Sequence, residues 1–243
     1  MYGSRLRTLS IVTAVTLIAT YTLALFTAPM DADQGFSQKI FYVHVPLAIV
    51  ALGGWVWGGI MAVQHLRTRD PKYDLRAYVA IHTAVVFGCA VLLTGAIWAK
   101  AAWGVWFEWR EPTLVSFLIV FLLYCTYQPL RFSIEDPERQ SRVASVFAIV
   151  AGAFVPLNFL AVRLADPFIH PRLLNQGGSD LPAGMKLPFY LGIVGMALLF
   201  ATLYTFEMTH KNSRAQLRSL RRKLGDDAGA RGGRTAAPQL ETT

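Results

Sequence analysis

The sequence predicts an all-α polytopic membrane protein: a bundle of six transmembrane helices with both termini cytoplasmic. Three observations carry the prediction. Of 243 residues, 54% are hydrophobic and only 16% are charged, whereas a soluble domain carries about a quarter charged residues. Six apolar runs occur, at residues 8–28, 40–64, 78–99, 113–130, 143–165 and 187–209. Each has the length of a helix that crosses the hydrocarbon core, about 17–25 residues. Lys and Arg also alternate from loop to loop between two sides. No run shows strand alternation, and a helix satisfies its own backbone in lipid.

The run 8–28 is expected to be a retained first span and not a cleaved signal, because no Ala-x-Ala site precedes Pro29. The run 40–64 carries His44 and Pro46 near its start. Its stretch Gly53-Gly54-Trp55-Val56-Trp57-Gly58-Gly59 puts small residues at helical spacing, which favours close helix contact. Trp55 and Trp57 are expected to pack inside. The run 78–99 leads into an aromatic loop, Trp103-Gly-Val-Trp-Phe-Glu-Trp-Arg-Glu-Pro-Thr113. Cys89 and Cys125 lie inside apolar runs with no CxxC, so they are expected to be small buried hydrophobes. The run 143–165 contains Pro156, which is expected to bend it, as Pro46 bends the run 40–64. It ends near Asn158 and Arg163. Residues 1–210 form one membrane domain, and 211–243 a basic cytoplasmic tail that is expected to be disordered.

Orientation follows from the basic residues. Arg5, Arg7, Arg67, Arg69, Lys72, Arg76, Arg131, Arg139, Arg142 and the tail share one side. Only Lys39, Lys100, Arg110, Arg163, Arg172 and Lys186 fall on the other. The positive-inside rule makes the richer side cytoplasmic. The basic tail is therefore explained by orientation and by attraction to anionic membrane lipid, with no nucleic acid required.

This orientation collects the chemistry on the outer face. His65, His82 and His210 fall at cytoplasmic span ends, where an interfacial or packing role is expected. His44 and His170 map to the outer side. His44 falls within the start of its run, where a histidine is costly unless paired or bound, so it is a functional candidate by default; His170, in a loop, gains weight from the joint pattern. Two histidines are too few for a closed zinc site, which takes four ligands. They suit haem, whose macrocycle leaves only two axial positions to the protein. Indole faces pack well against such an apolar plate. Lys100, Arg110, Arg163 and Arg172 are placed to meet its propionates, arginine in bidentate fashion. Trp103, Trp106 and Trp109 recur every third residue, which predicts one side of a short helix. The competing account is an interfacial belt, where tryptophans settle in any case.

The stretch Ile40-Phe-Tyr-Val-His-Val-Pro-Leu-Ala-Ile-Val-Ala-Leu-Gly53, the aromatic loop Trp103–Trp109 and the outer His170 together resemble the haem exporter protein C (CcmC) family of cytochrome c maturation. The resemblance covers about residues 8–210. It implies a protein of the cytoplasmic (inner) membrane that binds b-type haem on its outer face. It implies His44 and His170 as axial ligands of the haem iron. It implies Trp103, Gly104, Trp106 and Trp109 as a platform under one haem edge. It further implies handover to a haem chaperone (CcmE-like), beside ABC transporter subunits (CcmA/CcmB-like) and a small one-span subunit (CcmD-like). The chain departs from the family pattern at four places. The family loop continues with Trp-Asp, a basic residue and Leu-Thr, where this chain has Arg110-Glu111-Pro112-Thr113. Glu111 is the candidate to stand in for the aspartate. Phe107 takes a place often held by tryptophan. Leu164 and Ala165 stand near the place of a tryptophan pair.

Three function classes remain open from sequence: a haem-handover protein, a bis-histidine electron-carrying membrane cytochrome, and a non-haem permease subunit. No nucleophile–base pair or Gly-rich phosphate loop is visible, so an enzyme is not expected and any ATP use belongs to another subunit.

Overall fold

A computed structural model describes residues 3–165, 168–170, 174–175, 178–179 and 181–232. The elements run α1 (Ser4–Phe26), a 3₁₀ turn (Phe36–Ile40), α2 (Phe41–Thr68), α3 (Pro71–Trp103), α4 (Pro112–Cys125), α5 (Tyr127–Phe132), α6 (Pro137–Leu164), a two-residue ladder of β1 (Leu174–Asn175) with β2 (Gly178–Ser179), and α7 (Ala183–Gly232). Six helical segments are long and apolar enough to span a membrane. They coincide with the six runs of the sequence, with α4 and α5 sharing one.

The ends of the helices follow local chemistry. Asp70 caps α3 by accepting the Lys72 backbone N–H at 2.9 Å, and Pro71 fills the first helical position. Gly104 ends α3 in the left-handed region, φ 78°, with its N–H on the Lys100 carbonyl. α4 starts in the same manner, with Glu111 as the cap and Pro112 behind it. α3 has 33 residues, about 50 Å of helix, against a hydrocarbon core of about 30 Å. It is therefore longer than the apolar layer is thick.

α2 is the central helix and lies against α3, α6 and α7, while α1 lies along α7. Small residues set these approaches. A Cβ on Gly59 would sit 3.2 Å from the Ala148 carbonyl oxygen, and one on Gly58 would sit 2.6 Å from Ile81. Trp55 is fully buried and stacks on Tyr124 with centroids 4.7 Å apart. Trp57 is 45% exposed. The expectation that both tryptophans pack inside is thus met by Trp55 and overturned for Trp57, because adjacent residues but one on a helix point about 200° apart. Cys89 is likewise exposed and Cys125 half-buried, which corrects their reading as buried hydrophobes. In lipid an outward thiol carries little penalty.

At the end of the bundle away from the aromatic loop, Arg131 forks onto Asp74 with N···O distances of 2.7 and 2.6 Å. Both side chains are nearly buried, and Tyr127 adds its hydroxyl to the same guanidinium. α7 runs without a break past residue 210 to Gly232, so a helix end does not mark the boundary expected there. Residues 233–243 lie outside the described residues.

Candidate functional site

At the aromatic end the helices diverge around one cavity of about 470 Å³. Its walls are mostly apolar and come from α2, α3, α4, α6 and the start of α7. His44, from the first turn of α2, and His170, from the loop after α6, both line it. The sequence-predicted pair is thus brought together from distant parts of the chain.

His44 is held from three directions. Thr94 Oγ1 donates to the Ala90 carbonyl at 2.7 Å, so it accepts from His44 Nδ1 at 3.0 Å. With the Thr94 hydroxyl donating to its own helix, Nδ1 would carry the proton, which is the usual arrangement in an imidazole that ligates through Nε2. A Cβ on Gly95 would lie 2.8 Å from His44 Cε1, so only glycine leaves room for the ring. Trp98 meets the ring edge-on, centroids 5.8 Å apart, and its Nε1 donates to Gln34 at 2.8 Å. Asp31 in turn accepts the backbone N–H groups of Asp33 and Gln34, which shapes the loop that brings Gln34 to the cavity.

His170 is mounted differently. Trp103, the last residue of α3, meets its ring edge-on with centroids 6.1 Å apart. The backbone N–H groups of Phe168, Ile169 and His170 all donate to one oxygen of Glu111, at 3.0, 2.9 and 3.0 Å. The other oxygen accepts from Thr113 N at 3.3 Å. Glu111 is fully buried. Burial opposes its ionisation, but the backbone donors of Ile169, His170 and Thr113 outweigh it and hold the carboxyl down to about 2.

The aromatic loop divides. Trp103, Trp106 and Phe107 line the cavity, and Trp106 is 61% exposed at its mouth. Trp109 is 70% exposed, lies outside the lining and rests against Phe107. The triplet spacing does not make a helix face: α3 stops at Trp103, and residues 104–111 are bends and turns because Gly104 reverses the backbone and Pro112 restarts the chain. Gly104 itself has open space around its Cβ position, so its role is conformational. Arg163 lines the cavity and stacks over Phe159 at 4.6 Å. Arg110 does not reach it; the guanidinium pairs with Glu108 at 3.0 Å and covers Phe168 at 4.3 Å. Lys100 donates to the Gly104 carbonyl. Arg172 lies outside the described residues.

The family model described as CcmC, Heme exporter protein C, matches residues 1–223. The chain belongs to the CcmC family. Among its curated relatives, Heme exporter protein C of Bradyrhizobium diazoefficiens is 33% identical over 197 residues, 79% of this chain and 73% of that one. The protein of the same name from Paracoccus denitrificans is 32% identical, covering 80% and 81%. That of Escherichia coli K12 is 28% identical over 204 residues, covering 82% and 80%.

Within this CcmC-family chain, sequence reading missed Gln34, Thr94, Gly95 and Trp98. Thr94-Gly95 and Trp98 sit one helical turn apart on a run read only as apolar. A polar residue followed by glycine near the outer end of a span was the available signal.

Proposed function

We propose that the cavity holds b-type haem at the outer face of the cytoplasmic membrane, with His44 and His170 as the axial pair, and passes it to a haem chaperone of the CcmE type during cytochrome c maturation. The observation that carries this reading is the convergence of both histidines on one apolar cavity. Its size falls within the range of ligand pockets, roughly 300–1,000 Å³. The donor set fits the group: two imidazoles, one braced at Nδ1 by the Thr94 hydroxyl, with an indole beside each ring. Among the described residues no three of His, Cys, Asp and Glu gather as a metal cage, so the iron would come with its own macrocycle.

Trp103, Trp106 and Phe107 would flank the macrocycle, and Arg163 would neutralise a propionate. Gly104 turns the loop that carries them. Arg110, bound to Glu108 and Phe168, would act on the loop and not on the ligand. Trp109, on the outer surface, is available to a partner. The exposed mouth suits a ligand that must leave. We place the site outside because the basic residues of the α2–α3 and α5–α6 connections lie at the opposite end of the bundle. ATP-binding-cassette subunits (CcmA/CcmB-like) and a one-span subunit (CcmD-like) would act beside this chain. The haem supplies the iron and the vinyl groups; this chain supplies position and exclusion of water.

The test is the absorption spectrum of detergent-purified protein, wild type beside His44→Ala and His170→Ala. A low-spin haem in the wild type, lost or turned high-spin in both variants, is the expected result. Absence of haem from the wild type after haem is supplied would overturn the assignment.

A further inference from the structure

The two histidines are held by unlike means. His44 is part of a transmembrane helix, with its ring fixed by Thr94, Gly95 and Trp98. His170 follows the end of α6 by six residues and has no helix of its own. Three consecutive N–H groups of its loop, at Phe168, Ile169 and His170, converge on one oxygen of Glu111. Successive backbone N–H groups of this kind form an anion-binding nest. Here the anion is a side chain from the aromatic loop, fully buried. The second oxygen caps α4 through Thr113. Glutamate is not among the preferred caps, which are Ser, Thr, Asp and Asn. Its extra methylene is what allows one carboxylate to cap α4 and still reach the loop of His170.

We infer that Glu111 is a positioning residue of His170, joining the aromatic loop to the histidine loop so that withdrawal of this one carboxylate loosens the His170 loop while His44 stays in place. The inference rests on the haem reading for its consequence, but its structural half can be tested without haem. Asp is a good N-cap and is one methylene shorter. Glu111→Asp therefore keeps the cap and withdraws from the nest, which separates positioning from capping.

The experiment uses the full chain in detergent. Hydrogen exchange at the amides of Phe168, Ile169 and His170 is read in haem-free protein, wild type against Glu111→Asp and Glu111→Gln. Exchange about tenfold faster in Glu111→Asp, with the unfolding temperature unchanged, is expected. In haem-loaded protein the same variant is expected to turn from low-spin to high-spin while retaining haem through His44. Unchanged amide protection in both variants overturns the inference. So does faster exchange with a wholly low-spin spectrum, since His170 would then hold its place without Glu111. Failure of the wild type to take up haem defeats the haem reading alone, because the exchange result stands by itself.

Discussion

At the end of the bundle away from the aromatic loop, His82 accepts from Gln128 at 2.6 Å and stacks on Tyr78, His65 meets the Asp70 carbonyl, and Arg131 forks onto Asp74. At the aromatic end His44 and His170 instead turn their rings to a shared cavity, and their partners hold them from behind. The same residue type is used in opposite ways. At the first end polar groups spend their valences on one another and lock α3 to α5. At the second both histidines line the wall of an apolar cavity, where a bound group would meet them. A polar residue near a membrane is therefore read by what surrounds it, not by its presence.

Four substitutions break or sharpen this contrast. The largest effect on stability is expected from Arg131→Ala. It leaves Asp74 nearly buried and unpaired, a situation that costs about 3–5 kcal/mol. Thermal unfolding in detergent reads it, and unaltered stability would show that the ion pair is not the lock described above. Gly95→Ala comes next. Its Cβ meets the His44 ring, and overpacking of this kind costs about 1–3 kcal/mol. A lower unfolding temperature is expected, and with it a loss of haem retention, because the His44 ring must shift from its place. Thr94→Val removes the acceptor for His44 Nδ1 and is expected to weaken haem binding about tenfold, as for other second partners of ligating histidines. A competition titration with a haem-binding protein measures it. Trp109→Ala is expected to do least. The side chain is outside the cavity lining and 70% exposed, so stability should change by less than about 0.5 kcal/mol and haem retention should stay as in the wild type. A large loss of haem there would show that Trp109 belongs to the haem platform, as the family resemblance implies.

Much of the fold was legible because a membrane span is a local property. About 20 apolar residues in a row settle the matter wherever the helix ends up. The candidate pair His44 and His170 stood out because these two of the five histidines map to the outer side, and the structure places both on the cavity. The regular spacing of Trp103, Trp106 and Trp109 predicted one side of a short helix, but a left-handed glycine and a proline leave no helix between Gly104 and Glu111. Glu111 was noticed only as a missing aspartate's possible substitute. Its real partners are backbone groups more than fifty residues away in the chain, and no sequence pattern advertises a backbone N–H.

Composition and order of residues thus settled the number of spans and the two histidines worth testing, since lipid sorts side chains one helix at a time. Packing settled the rest. Which aromatics face the cavity, why residue 95 has no side chain, how Trp98 and Gln34 brace one ring and how a single carboxylate carries the other all depend on helices meeting at a particular register. Hydrogen bonds and contacts of a few ångströms act only between neighbours in space, and the chain order does not name them.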